Sequence, residues 1–497
     1  MVGVPGRSKA CVTCLKRKKR CDLEKPFCGT CRKARVECGG YHRPRIFINN
    51  TMNDHNKQLT KKERGISTST NISMSKGRSS SGSGSSSDTD SNRSSPDNGS
   101  DVALLMSLAR SAYQTKYMDM WWRLYLPNGQ RLSQSVRGNT MGGWLAVIHE
   151  LNFGEPVLEK ALVAMSVTAV GKQEGDLYLK EEGRKLYGKA LQSMTVAMKD
   201  PKRAMSDGVL TAVRLFSFYE SLFGQSENAA EQAQSWQVHN AGDLALVASR
   251  SPYSFISGYA HLLFCDGRTH LTMSCLRRRK RLFLAEPEWK TIPWLKIEKT
   301  PRDHLLDVMM DMTGLFEDTD NMKVCPNPVE KEVLRQQLID GFLALKHGLL
   351  SWQKLHAPNY LPTYTADDLP DKVHPEDLAD AHLMTLFWAT SIVACSNLDA
   401  LYAPHGAEYH VKWDLDEFCG HIVRTLPFFG HPSMGLFRQH VAVYPTTVAL
   451  HYICAAGPRR LVDERRILAD SLYNPSLAGV RHFIVSMKDN SPVDFLK

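Results

Sequence analysis

The sequence is poor in long apolar runs. No stretch approaches the roughly 18–20 apolar residues that cross a bilayer. The longest candidates, such as ALVAMSVTAV (161–170), have only the length of a core helix. The opening residues, MVGVPGRSKAC, hold no apolar segment of the kind found in a secretory signal. Both absences predict a soluble, intracellular protein with no membrane partner. Runs of alternating β-branched residues bounded by turns are missing as well, which argues for an all-α body. Catalytic signatures are equally scarce: there is no G-x-S-x-G, no P-loop and no H-E-x-x-H. The chain is therefore expected not to be an enzyme.

What is present is unevenly placed. The net charge is +10, yet residues 1–65 hold 17 Lys/Arg against 5 Asp/Glu, and the remaining 432 hold 45 against 47. The whole basic excess sits on a short N-terminal head, which suits a polyanion-binding module on a near-neutral body. The chain divides accordingly into a Cys/basic head (9–48), a linker (49–100) and a body (101–497). The linker stretch SSSGSGSSSDTDSNRSSPDNGS (79–100) is almost free of apolar groups and cannot bury enough surface to offset ordering, so it is expected to be disordered.

The body reads as helical almost throughout. In NPVEKEVLRQQLIDGFLALKHGLLSW (327–352), Leu334, Leu338, Phe342, Leu345, Leu349 and Trp352 fall on one face at steps of three and four. Asn327 is placed to cap this helix, Pro328 suits its first position and Glu330 completes a capping box. Segments 158–170, 177–198, 207–223 and 383–402 read alike, the last apolar nearly all round and so expected to be fully buried. One large all-α domain is expected, with a division into two helical subdomains left open.

Six of the 12 cysteines lie in CVTCLKRKKRCDLEKPFCGTCRKARVEC (11–38). They form a repeat: Cys11-x2-Cys14-x6-Cys21, then Cys28-x2-Cys31-x6-Cys38. Clustered cysteines in a reducing compartment point to metal more than to disulfides. Zinc takes four ligands. One zinc leaves two thiolates unused, whereas two zincs need eight ligand positions, which six thiolates supply if two are shared. A segment this short cannot fold on an apolar core, so the metal would supply its folding free energy. Five consecutive basic residues, Lys16, Arg17, Lys18, Lys19 and Arg20, stand between the second and third cysteines. The matching stretch of the second half, RKARVE, is less basic. The first helix is thus the better candidate for a major groove, where Arg and Lys can donate to guanine O6 and N7 while other cations meet phosphates.

The segment resembles the binuclear zinc cluster (Zn2Cys6) DNA-binding domain of fungal transcription factors. All six cysteines fit its pattern, as do Arg17, Lys18, Arg20, Asp22 and Pro26; Leu15 departs, standing where the family usually has a basic residue. The resemblance implies that Cys11 and Cys28 bridge two Zn2+ ions, that Cys14 and Cys21 complete one site, and that Cys31 and Cys38 complete the other. It also makes Lys18 the main base reader, aimed at a CGG-like triplet, with Lys16, Arg17, Lys19 and Arg20 mostly on the DNA backbone. The following GGYHRPRIFI (39–48) could track that backbone, and His42 is read as a plain surface residue because the ligand positions are already filled.

Relatives often dimerise through a coiled coil just after the cluster. NNTMNDHNKQLTKKERG (49–65) offers only Met52 and Leu59, too little for three or four heptads. The protein is expected to act as a monomer or as a homodimer paired through its body. The body resembles the fungal-specific transcription factor domain in LEKALVAMSVTAVG (158–171), LYGKALQSM (186–194), FYESLFG (218–224), SWQVHNAGDLALVASRSPYS (235–254) and EPEW (286–289). That likeness implies an α-helical regulatory domain that could hold an effector cavity.

The remaining signals are weak. Cys265, Cys275, Cys325, Cys395, Cys419 and Cys454 stand alone, mostly in apolar helical context, and read as core. Trp236 and His239 read as packing residues. RRRKR (277–281) fits a solvated helical face or a second import signal. GLFEDTDN (314–321), WDLDEF (413–418) and PVDFL (492–496) could recruit transcription machinery, though ordinary loops and helix ends look the same. Ser95-Pro96 could be phosphorylated. Together these readings point to a nuclear, sequence-specific, zinc-dependent regulator of RNA polymerase II transcription, with double-stranded DNA as partner. The alternative is a metabolite-binding or enzymatic helical protein carrying a DNA-tethering zinc head.

Overall fold

Local propensity, capping and apolar periodicity agree over most of the body, and the result is a stack of helices. The structure is a computed structural model that describes residues 11–24, 28–36, 38, 98–146, 148, 154–224, 229–362, 368–403 and 413–488. The linker to residue 97, Pro26, GGYHRPRIFI (39–48) with His42, residues 49–65, Ser95-Pro96 and PVDFL (492–496) lie outside the described residues. Among the described residues there is no strand.

The head contains two five-residue helices, α1 (Val12–Lys16) and α2 (Gly29–Lys33). The longer helices of the body are α3 (Asn98–Tyr125), α4 (Pro156–Gln173), α5 (Leu177–Ala197), α6 (Asp207–Phe223), α7 (Ala229–Ala248), α8 (Gly258–Arg278), α9 (Pro301–Val324), α10 (Pro328–His356), α11 (Pro375–Tyr402), α12 (Leu415–Phe429), α13 (Arg438–Ala455), α14 (Val462–Tyr473) and α15 (Ala478–Lys488). Residues 95–497 cluster as a single compact unit, separate from 1–94.

Neighbours in sequence are mostly neighbours in space. α4 packs on α5, α6 on α7, α9 on α10, α10 on α11 and α12 on α13, while α15 returns to α7 and α13. The α4–α5 pair is close because of two glycines. A Cβ on Gly171 would stand 2.6 Å from the Lys180 nitrogen, and one on Gly183 would stand 2.8 Å from the Thr168 nitrogen. One apolar core runs from Trp121 and Tyr125 through Phe216, Phe264, Met309, Phe342 and Phe387 to Ile484.

Sequence signals at helix starts act as expected in most places. Asp176, Ser206 and Asp414 cap α5, α6 and α12 with their side chains. At α10, Asn327 accepts from the N–H groups of Val329 and Glu330, but the reciprocal bond expected from Glu330 is not formed. A full capping box forms instead at Thr300 and Asp303, where α9 begins. Leu338, Phe342, Leu345, Leu349 and Trp352 of α10 are buried as expected, while Leu334 is only half-buried.

Two expectations are corrected. α11 is, by length and composition, apolar enough to cross a membrane, contrary to the reading that no stretch comes near it. In the fold 94% of that apolar stretch is buried inside the helical body, so it serves as a core helix. RRRKR (277–281) is only in part a solvated face: Lys280 and Arg281 are exposed, but Arg277 and Arg279 are 9% and 2% exposed. Arg279 takes a left-handed backbone (φ 52°) that ends α8, and its guanidinium donates to Asp320 at 2.8 Å above the Phe316 ring. Lys280 pairs with Glu317 at 2.9 Å and Arg281 with Asp318 at 2.7 Å. GLFEDTDN thus supplies the counter-charges of Arg279, Lys280 and Arg281, and these residues form one ionic seam between the end of α8 and α9. Asp416 of WDLDEF is likewise paired, with Arg460 at 2.6 Å.

Candidate metal centre and nucleic-acid interface

The internal repeat of the head has an offset of 17 residues, and its backbone obeys it. The Cys14 N–H points to Cys11 Sγ at 3.3 Å, as the Cys31 N–H does to Cys28 Sγ at 3.2 Å. The Cys11 N–H reaches Cys21 Sγ, and the Cys28 N–H reaches Cys38 Sγ, both at 3.4 Å. Each short helix closes alike: Lys19 N–H donates to Cys14 O at 3.0 Å and Val36 N–H to Cys31 O at 3.1 Å. Lys18 and Arg35, one residue earlier in each half, both take left-handed backbone, with φ of 52° and 51°.

The six sulfurs converge. Cys11, Cys14, Cys28 and Cys31 are fully buried, and their sulfurs lie 3.5–3.7 Å apart across the two halves. A disulfide needs about 2.05 Å, so these thiols are not bonded to one another. Tetrahedral zinc with Zn–S of about 2.3 Å sets its sulfurs about 3.8 Å apart. The observed spacing suits that metal. Two groups of four fall within 4.8 Å: Cys11, Cys14, Cys21 and Cys28, and Cys11, Cys28, Cys31 and Cys38. They share Cys11 and Cys28. Burial pushes the Cys11, Cys14 and Cys28 thiols up, Cys14 to about 12, so a cation bound here displaces protons.

The halves are also tied by an acidic pair. Asp22 accepts from the N–H of Gly29 at 3.0 Å, from that of Glu24 at 3.3 Å and from the Thr30 hydroxyl at 3.3 Å. Partial burial works against the charge, but these donors hold the carboxyl below its usual range. Arg32 pairs with Glu24 at 2.9 Å. The sequence reading noticed Asp22 as a pattern match but assigned it no role, and it missed the Glu24–Arg32 pair; neither contact has a spacing signature.

The basic run lies differently from expectation. α1 ends at Lys16, Arg17 and Lys18 form the turn, and Lys19 and Arg20 have no regular secondary structure. The run therefore follows the first helix instead of covering it. All five side chains are exposed, and none forms an ion pair among the described residues. In the second half Arg32 is spent on Glu24, which leaves the first half as the more cationic face.

Comparison with known proteins agrees with this geometry. Residues 9–45 match the family model described as the fungal Zn(2)-Cys(6) binuclear cluster domain. A stretch of 61 residues is 43% identical to Sterol uptake control protein 2 of Candida albicans, and it spans 12% of this chain and 9% of that protein's length. No solved structure matches the chain.

Proposed function

We propose that the protein is a nuclear, zinc-dependent, sequence-specific DNA-binding regulator of RNA polymerase II transcription. The observation that carries this reading is the sharing of Cys11 and Cys28 between two four-sulfur groups, in a segment that matches the binuclear cluster family. In this reading Cys11 and Cys28 bridge two Zn2+ ions, Cys14 and Cys21 complete one site, and Cys31 and Cys38 complete the other. The ions cross-link a segment too short to fold on an apolar core.

The chain's own residues do the reading. The exposed turn after α1 presents Lys18 for donation to guanine O6 and N7 of a CGG-like triplet. Lys16, Arg17, Lys19 and Arg20 meet phosphates, which fixes register and supplies most of the salt-dependent affinity. Asp22, Glu24 and Arg32 hold the second half as scaffold. The helical body transmits output to the transcription machinery, and the protein binds as a monomer or pairs through that body.

Selection of bound sites from random DNA by the full-length protein tests this. Enrichment of a CGG-like triplet is expected. A lone triplet supports a monomer, and two at fixed spacing support a homodimer. Recovery of no enriched triplet sinks the assignment. Deleting residues 1–48 separates the alternative of a metabolite-binding or enzymatic body with a tethering head: a body activity that persists without DNA binding favours that alternative.

A further inference from the structure

The body holds a cavity of about 840 Å³ walled by α6, α7, α8, α13 and α15 and by the segment around Trp144. This is within the range of about 300–1,000 Å³ that suits small-molecule sites. Its wall is mostly apolar, with Trp236, Phe218, Met273 and Phe483 among the larger groups.

Most of its charged side chains are already neutralised inside the protein. Arg214 pairs with Asp243 at 2.9 Å, and His270 Nε2 meets the same carboxylate oxygen at 2.5 Å. Asp266 pairs with Arg302 and accepts from the Trp144 N–H at 2.8 Å. Arg277 is different. Only 9% exposed, it has no carboxylate partner among the described residues. One terminal nitrogen donates to the Met487 carbonyl at 2.8 Å, and the other lies against the Met487 thioether. Burial lowers its pKa to about 10, and no anion among the described residues opposes the effect. A guanidinium has five donors in a planar fork, and here one meets a neutral backbone carbonyl and one a weakly accepting thioether.

A second polar group in the same wall lacks a partner. The His440 ring stacks on Phe218 at 4.2 Å, and its Nε2 is buried with no hydrogen bond among the described residues. Burial drives its pKa down to about 3, so the ring is neutral and can donate one N–H.

We propose that this cavity binds an apolar small molecule bearing one carboxylate, with the acid group on Arg277 and the apolar portion along Phe218, Trp236 and Phe483. A buried cation facing an apolar void stays uncompensated until an anion arrives, and a carboxylate fits the guanidinium fork. Because Arg277 also holds the Met487 carbonyl near the end of α15, an arriving carboxylate competes with Met487, which couples occupancy to the hold on that helix. The proposal concerns the body alone and does not rest on how the head reads DNA.

The test uses full-length, zinc-loaded protein with dansyl-undecanoic acid as fluorescent probe, displaced by dodecanoate or by dodecanol. Dodecanoate is expected to displace the probe at least about tenfold better than dodecanol, the scale of one charge-assisted hydrogen bond. Arg277→Gln should abolish that preference and Arg277→Lys should retain it. Val443→Trp, which fills the cavity, should remove probe binding. Equal displacement by acid and alcohol in the unsubstituted protein overturns the proposal even if Arg277→Gln fails to fold. Undiminished probe binding by a folded Val443→Trp variant, or no displaceable binding at all, also overturns it.

Discussion

The carboxylate of Asp22 accepts a hydrogen bond from the backbone N–H of Gly29 at 3.0 Å, joining the end of the first half-repeat to the start of the second helix. A Cβ at position 29 would stand 2.6 Å from Asp22 Oδ2 and 2.7 Å from Glu24 Oε2, so a side chain there would push both carboxylates aside and disturb that bond. Asp22→Ala and Gly29→Ala should therefore act alike. Each is expected to loosen the halves and speed zinc loss to a chelator severalfold, measured by chromophoric chelator competition. Unchanged release in both variants would show that the sulfurs alone hold the halves together.

Removal of metal should separate head from body. Only α1 and α2, five residues each, depend on the cluster, whereas the long helices rest on their own apolar core. Treatment with a strong chelator is expected to abolish DNA binding while far-UV circular dichroism changes little. Loss of most helicity on chelation would contradict this division.

The basic turn offers a paired test. Lys18 has left-handed backbone (φ 52°), which Ala tolerates no worse than Lys, so Lys18→Ala removes the side chain without new strain. It should relax discrimination within the triplet at a cost of about 1–3 kcal/mol. Lys19→Ala should instead weaken all sequences alike and lower the salt slope by about 1. Specificity that survives Lys18→Ala unchanged would assign base reading to another residue.

Acid should weaken the body before its carboxylates titrate. Burial drives His239 to about 4, and His382 and His440 to about 3, from the ordinary 6.5. All three are depressed, so the unfolded chain binds more protons than the folded one below pH 6.5. Their contribution is whole above that pH and is lost as pH falls toward the folded values. Each can contribute at most about 1.4 kcal/mol per pH unit in that window. Melting temperature is expected to drop between pH 7 and pH 5, and the His440→Phe variant should show a shallower drop. A flat profile over that range would mean these rings are hydrated in solution.

Much of this was legible in the sequence. Segments 158–170, 177–198, 207–223 and 383–402 each lie within or nearly coincide with a helix, because apolar content at helical spacing runs unbroken by proline there. The six cysteines were legible because metal coordination demands a residue type at a spacing. The solvated reading of RRRKR failed at Arg277 and Arg279 for the opposite reason. Arg279 is buried only because Asp320, 41 residues on, arrives beside it, and composition cannot announce a counter-charge from another helix.

The sequence by itself determined the helical class of the body, the location of the basic head and the identity of its sulfur donors, since these follow from local periodicity and ligand chemistry. Only tertiary structure decided which sulfurs two groups share, that the basic run follows α1 as an exposed turn, and that Asp22 ties the halves. It also decided which body arginines are matched. Arg214 finds Asp243 and Arg302 finds Asp266, while among the described residues Arg277 meets only Met487 beside an apolar cavity. Pairing of buried charge depends on how helices distant in sequence pack together, and no local pattern encodes it.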